Sequence, residues 1–294
     1  MKVAIYGQYY QNDTRPIIRD IFEFFNKRKL DFYIEENFLN ILYEQEILKK
    51  EYKTFRSHAE LDKSFNLMLS IGGDGTILRA VTYVRNKGIP ILGINAGRLG
   101  FLAKVQKENI EEFLDLIIEK KFSVSQRTLI SLETEPKSEE IKGINYALNE
   151  ISINRKNTTS MITIKTCLND EYLTSYWADG LIVSTPTGST GYSLSCGGPV
   201  LTPDVKSFVI TPISPHNLNA RPLVIPDDTV VKLKISGRES DYLVSLDSRV
   251  ITLKNETELT IKKTSFKINM VEINDETFLK TLRKKLLWGE DKRN

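Results

Sequence analysis

A chain of 294 residues is long enough for two domains with a sizeable core, and its 40% hydrophobic and 27% charged residues are ordinary globular composition. Forty-one basic against 38 acidic residues leave a formal charge of +3, which argues against a nucleic-acid partner. No 18-residue apolar span occurs, and the N-terminal "MKVAIYGQYYQND" has too short an apolar core for a signal peptide, so a soluble cytoplasmic protein with no membrane partner is expected. Cys167 and Cys196 have no CxxC spacing and no histidine company, which fits a reducing compartment and a packing role.

The first part of the chain alternates in the βα manner. Val3 to Tyr6 is a short apolar run ending at Gly7. Asp13 or Thr14 then offers a cap for a helix with Pro16 in its first turn and Ile17, Ile18, Ile21, Phe22 and Phe25 on one face. Leu67 to Ile71 reads as a buried strand that feeds a helix through "GGDGT", and Ile89 to Ile94 as another, ending in "GINAGRLGFL". A helix is expected from about Glu108 to Lys120.

Beyond Lys121 the period changes to two. "MITIKTCLNDEYLTSYWADG" alternates around Asn169-Asp170, a hairpin signal, and "TVVKLKIS", "YLVSLDS", "ELTIKK" and "FKINMVEI" alternate as well. Domains are therefore placed at 1–125 (α/β) and 126–272 (β-rich), with a terminal helix in 273–294 whose Phe278, Leu282 and Leu286 lie four apart. Seven of the ten prolines fall between Pro186 and Pro226, so that region should be largely turns and irregular backbone. Gly180 to Pro203 has no charged residue but is dense in serine, threonine and glycine. Composition leaves two readings of it open: a buried stretch, or a neutral ligand cradle of amides and hydroxyls.

Three motifs bear on chemistry. In Gly72-Gly73-Asp74-Gly75-Thr76, glycines at a strand-to-helix turn let an anionic phosphate approach the helix N-terminus. A carboxylate repels that phosphate, a conflict that dissolves if Asp74 acts on another group, by taking a proton from an attacking hydroxyl or orienting Mg²⁺. The bland alternative, an aspartate capping the helix, stays open on the pattern alone. The missing GxxxxGK[ST] and GxGxxG patterns argue against a P-loop ATPase and an ordinary dehydrogenase. In "TPTGSTGYSLS", residues 185–195, six hydroxyl residues besides Tyr192 follow Asp179 and would suit a nucleoside, or form a turn-rich connection. Asn149-Glu150 interrupts an apolar strand and must be exposed or buried with partners. GxSxG is absent, and neither His58 nor His216 has a carboxylate to orient it in sequence, so both are read as structural or exposed.

With these motifs in order, the sequence resembles the NAD kinase family. The match comprises "GGDGT" at 72–76, "GINAGRLGFL" at 93–102, "NE" at 149–150, "DGLIVSTPTGSTGYSLSCGGP" at 179–199 and "SLDS" at 245–248. The glycine-aspartate motif alone is shared with diacylglycerol-type lipid kinases. The resemblance implies an N-terminal α/β Rossmann-like domain, a C-terminal all-β sandwich-like domain and a C-terminal helix returning to the first. It implies transfer of the terminal phosphate of ATP, or of polyphosphate, to the 2′-hydroxyl of the adenosine ribose of NAD, a divalent cation such as Mg²⁺, and a homo-oligomer, dimer or tetramer.

By the same resemblance Asp74 is the general base, and Gly73, Gly75, Thr76 and Arg79 serve the phosphates. Asn149 and Glu150 hold ribose and adenine, while Asp179 and the run Thr190, Gly191, Tyr192, Ser193, Leu194 and Ser195 make the remaining dinucleotide contacts. No residue is assigned as a metal ligand. Two positions depart from the family pattern: Gly191, where alanine is commonest, and Trp177, where many relatives carry arginine. Two rivals remain at this stage, a lipid kinase acting on diacylglycerol or a sphingoid base and a non-catalytic dinucleotide sensor.

Overall fold

The computed structural model describes residues 1–9, 14–97, 100–107, 110–157, 160–272 and 277–288. The chain forms two compact units, Met1–Gln126 with Ile268–Asn294, and Arg127–Lys267.

The first unit opens with β1 (Lys2–Gly7), α1 (Thr14–Lys27), β2 (Asp31–Glu35), α2 (Glu36–Glu44) and β3 (Lys53–Phe55). It continues through β4 (Leu67–Gly72), α3 (Asp74–Val84), β5 (Ile91–Asn95) and α4 (Ile110–Ile118). The strands pair in parallel in the order β5-β4-β1-β2-β3. β4 and β5 are buried at every residue, which is why they read as unbroken apolar runs rather than alternating ones. The expected face of α1 is buried, Ile17, Ile18, Ile21, Phe22 and Phe25; Asp13 lies outside the described residues. β2 and α2 were not anticipated, because "DFYIEENFL" passes from strand to helix without glycine or proline. The switch is made by Glu35, whose buried carboxylate accepts from the Phe38 N–H at 2.9 Å.

β6 (Ser123–Glu135) crosses the boundary, and the second unit continues with β7 (Tyr146–Ala147), β8 (Glu150–Arg155), β9 (Ile162–Leu168), β10 (Glu171–Ala178) and β11 (Gly180–Ser184). After the short α5 (Tyr192–Ser195) come β12 (Ser207–Ile213), β13 (Leu223–Pro226), β14 (Val231–Gly237), β15 (Asp241–Leu246), β16 (Arg249–Lys254) and β17 (Glu258–Glu272). One antiparallel sheet runs β13-β12-β11-β8-β15-β16. The other has β10-β9-β14-β17, with β6 also on β17. Ile153, Leu181 and Val244 of the first meet Ile164, Leu233 and Leu259 of the second in one core, which makes this unit a sandwich.

Asn169 and Asp170 take φ of 48° and 69° at the β9–β10 turn, the left-handed pair a two-residue hairpin needs. "ELTIKK" and "FKINMVEI" form one strand, β17, since Thr264-Ser265 breaks the alternation without a turn-forming residue. The end of β17 from Ile268 belongs to the first unit, where Met270 pairs with Ile91 of β5. The region expected to be irregular does hold a 3-10 turn, Gly188–Thr190, and α5, but it also holds two paired strands, β12 and β13, with Pro212 inside one and Pro226 ending the other. α6 (Phe278–Leu286) is capped by Thr277, buries Leu282, and sets Phe278 against Phe101 of the same unit at 6.1 Å.

Candidate active site

β1 and β4 are neighbours, yet the chain leaves β1 toward β2 and β3 and returns on its other side. That reversal opens a crevice at their carboxyl ends, the usual ligand position in such sheets. Gly7-Gln8 and the glycine turn lie there, joined by the Gln8 N–H on the Ile71 carbonyl (3.0 Å) and the Thr76 hydroxyl on Gln8 Oε1 (3.1 Å). Gly72 turns the chain at φ 151°, where a Cβ would stand 2.2 Å from Thr76 Oγ1. At Gly73 and Gly75 a Cβ would meet nothing within 4 Å among the described residues. Packing within the described protein therefore does not account for the last two glycines, and their missing side chains leave room for a ligand.

Asp74 is not the helix cap. Gly73 is the N-cap of α3, with Asp74 as its first residue. Its carboxylate turns to the loop after β5, where Oδ1 accepts from the N–H groups of Leu102 (3.0 Å) and Ala103 (2.9 Å) and Oδ2 from that of Phe101 (2.8 Å). Three fixed donors orient the group, and Oδ2 keeps an acceptor site to spare. Arg79, exposed one turn further on, lines a cavity of about 400 Å³ with Gln8, Glu35, Asn37 and Tyr83. Burial pushes the Tyr83 hydroxyl up, and the charge of Glu35 adds to it.

The other assigned residues gather in the second unit. Glu150 begins β8 and receives the backbone N–H of Tyr192 on its carboxyl. Burial, with the charge of Asp247 as a second cause, pushes the Glu150 carboxyl up to about 8. Asn149 Oδ1 and Glu150 Oε2 are buried without a hydrogen-bond partner. Asp179 pairs with Arg155 at 3.0 Å and is an electrostatic neighbour of the half-exposed Tyr192, whose hydroxyl burial also raises. Within 180–195 both readings of the neutral stretch hold in part. Gly180–Ser184 is a fully buried strand. Several hydroxyls serve the fold: Thr185 donates to the Leu148 carbonyl (2.6 Å), Thr190 to that of Thr187 (3.2 Å), and Ser193 is buried against Thr211 (2.8 Å). Gly191 leaves room beside Glu150, since a Cβ there would lie 3.0 Å from Oε2.

Some residues escaped the sequence reading. Trp177 and His216, ring centroids 5.1 Å apart, line a cavity of about 430 Å³ with Asp179, Arg155 and Arg238. His216 itself is exposed in the loop after β12, as its place in "PISPHN" suggested. Gly100 and the amides of 101–103 were legible only as part of a glycine-rich loop, and Asp247 only as a letter of "SLDS". A larger cavity, about 620 Å³, lies elsewhere on the β9–β14–β17 face. Four of its charges pair with one another, Lys232 with Asp170 at 2.5 Å and Lys234 with Glu258 at 3.2 Å, as on a solvated sheet surface. No three His, Cys, Asp or Glu side chains converge as a cation cage among the described residues, and no described helix is long and apolar enough to cross a membrane.

A glycine-lined helix N-terminus carrying an oriented carboxylate, in a chain that also bears a nucleoside-suited set of buried acceptors, defines a phosphotransferase. Comparison with known proteins narrows this. Residues 6–122 match the ATP-NAD kinase N-terminal domain and 148–273 the ATP-NAD kinase C-terminal domain. The chain is 68% identical to an NAD kinase of Flavobacterium johnsoniae over 294 residues and 41% identical to one of Bacteroides fragilis over 293, covering all of each. A solved NAD kinase of Archaeoglobus fulgidus in complex with ATP superimposes with a TM-score of 0.75 at 25% identity, covering 98% of this chain and 99% of that one. The fold is also that of yeast NADH kinase complexed with NADH, with a TM-score of 0.86 at 21% identity, covering 99% and 88%. The chain belongs to the NAD kinase family. Nothing in these comparisons favours a lipid kinase or a silent sensor.

Proposed function

We propose that this chain transfers the terminal phosphate of ATP to the 2′-hydroxyl of the adenosine ribose of NAD, giving NADP, with Asp74 as the base. The observation that carries this reading is the Asp74 carboxylate, fixed by three amides from outside its own helix with one acceptor site left on Oδ2. A ribose hydroxyl donating to that site gives up its proton as its oxygen bonds to the γ-phosphorus. The bond to the β,γ-bridging oxygen breaks, and ADP leaves with that electron pair. First-turn amides of α3, unobstructed at Gly73 and Gly75, hold the donor phosphates, and Arg79 adds positive charge. Asn149 and Glu150 hold the ribose and adenine of the acceptor through their unpartnered oxygens, with Asp179 and residues 190–195 completing its contacts. Of those, Ser193 contributes through its backbone, since its hydroxyl is occupied by Thr211.

A divalent cation such as Mg²⁺ belongs to the same reading. The described residues offer no ready cage, and an ion carried on the donor phosphates with one carboxylate, Asp74, nearby needs none. When bound it offsets charge on those phosphates. Assembly as a homodimer or homotetramer and a cytoplasmic location complete the proposal. Purified protein with NAD, ATP and Mg²⁺ is expected to form NADP. Asp74→Asn should lose about 10²–10⁴-fold in kcat while binding NAD with unchanged affinity. Full turnover in Asp74→Asn would remove the base from the mechanism.

A further inference from the structure

Asp247 stands in the β15–β16 turn at φ 53°, with a side chain only 2% exposed. Its Oδ2 accepts from the backbone N–H of Leu148 (2.9 Å), and its Oδ1 from those of Asn149 (2.8 Å) and Glu150 (3.2 Å). Its own N–H returns to the Glu150 carbonyl at 3.0 Å. Two residues on, the Arg249 guanidinium donates to the carbonyls of Ile144 and Tyr146. One short turn therefore grips residues 144–150 by its carbonyls and its amides together. Ser245 braces the turn by donating to the Asp247 carbonyl at 2.6 Å.

A buried carboxylate is a costly way to fasten a turn. What it supplies is several acceptor sites and no donor, so that three consecutive amides can be held by one side chain. The residues so held include the two whose side-chain oxygens are buried and unpartnered, Asn149 Oδ1 and Glu150 Oε2. A flexible backbone would let those oxygens turn to water or to a neighbouring donor. Fixing it keeps them ready for a ligand's hydroxyls, which can donate to Asn149 Oδ1 and either accept from or donate to the Glu150 carboxyl, and leaving them unmade is unfavourable until that ligand arrives.

We propose that Asp247 is a positioning residue of the acceptor site, holding the Leu148–Glu150 backbone so that the Asn149 amide oxygen and the Glu150 carboxyl present preorganised hydrogen-bonding groups to the polyol of the dinucleotide. The inference rests on the reading of Asn149 and Glu150 as acceptor contacts. The charges around Glu150 agree with it. Asp247 faces Glu150 directly, Tyr192 and Cys196 sense its charge, Asp179 lies near Tyr192, and Arg249 stands 4.0 Å beyond Asp247. Burial raises both carboxyls, but the three amides work against protonation of Asp247, so Glu150 takes the proton.

The test compares full-length Asp247→Asn and Ser245→Ala with wild type and with Glu150→Ala, each checked for folding by circular dichroism. An asparagine at 247 keeps the shape but replaces one acceptor oxygen with a donor. It should raise KM for NAD, and the NAD Kd by calorimetry, about 10–100-fold, with KM for ATP moving less than threefold. It should also shift the Glu150 limb of the pH profile to lower pH, because the facing charge is gone. Ser245→Ala, which leaves the carboxylate in place, should raise KM for NAD a few-fold and serves if Asp247→Asn does not fold. A folded variant with NAD affinity and pH profile both unchanged, while Glu150→Ala does weaken NAD, would overturn the positioning role. Unchanged NAD affinity in Glu150→Ala itself would overturn the acceptor-site reading instead.

Discussion

Gly100→Ala isolates the placement of Asp74, the proposed base, without altering that residue. The Cβ it adds would stand 1.9 Å from Asp74 Oδ1 and 2.6 Å from Cγ, whereas ordinary contact begins at 3.4 Å. Either the carboxylate or the 100–103 loop must therefore withdraw by roughly 1.5 Å, and the bonds from Phe101, Leu102 and Ala103 cannot all survive. Each such charge-assisted bond contributes about 1.5–3 kcal/mol, and misplacing a reacting group by about 1 Å costs on the order of 10²-fold in rate. The expected result is a kcat about 100-fold or more below wild type, equivalent to roughly 2.7 kcal/mol of barrier. NAD binding by calorimetry should change far less than kcat, because Asn149 and Glu150, the residues proposed to hold the dinucleotide, lie in the other unit. Single-turnover NADP formation, with circular dichroism as the fold control, measures this directly. A folded Gly100→Ala enzyme within about threefold of wild-type kcat would show that the three-amide grip on Asp74 is not what orients the base.

Two further expectations concern glycine and charge. Gly75→Ala meets no atom of the described residues and lies within α3, so the protein should be as stable or about 0.5–1 kcal/mol more so by thermal melt, yet its KM for ATP should rise at least about tenfold. Gain of stability with unimpaired ATP use would mean the open space is not for phosphate. Glu150 has a folded pKa of about 8 against 4.5 for the free group, so its contribution is complete below pH 4.5 and is lost as pH rises through 8. The nominal size is up to roughly 5 kcal/mol. The Tm of wild type should thus fall by several degrees relative to Glu150→Gln between pH 5 and pH 9, and parallel curves for the two proteins would refute the buried proton.

Much of the architecture was legible because local chemistry set it. Unbroken apolar runs at 67–71 and near 91 can only be strands covered on both faces, and Asn169-Asp170 tolerates the left-handed backbone its hairpin demands. Where punctuation was missing, the reading failed. β2 passes into α2 through an acid that caps, and Thr264-Ser265 divides an alternation without ending the strand. The glycine turn pointed to an anionic ligand from its own residues, but the partners of Asp74 lie 27–29 positions away and use only their backbones. Backbone amides have no letter in a sequence. Gly100 could be seen only as a glycine, although a carboxylate from another element occupies the space of its missing side chain.

Asp74 and Asp247 put one interaction to opposite uses. Three amides of a loop hold the Asp74 side chain, so that a rigid backbone aims a reactive group. At Asp247 a single side chain holds three amides, so that a rigid group aims the backbone and, through it, two neighbouring side chains. Both arrangements exploit the same property, since a carboxylate has several acceptor sites in one plane while successive amides in non-helical backbone can converge on a point. The roles separate on what is left over. Asp74 is partly exposed and keeps an acceptor site, whereas the Asp247 side chain is buried and its charge is felt at Glu150. An aspartate in a glycine turn and an aspartate in a hairpin turn look alike as letters. The direction in which each is solvated is what supports Asp74, and not Asp247, as the one proposed to meet a reacting hydroxyl.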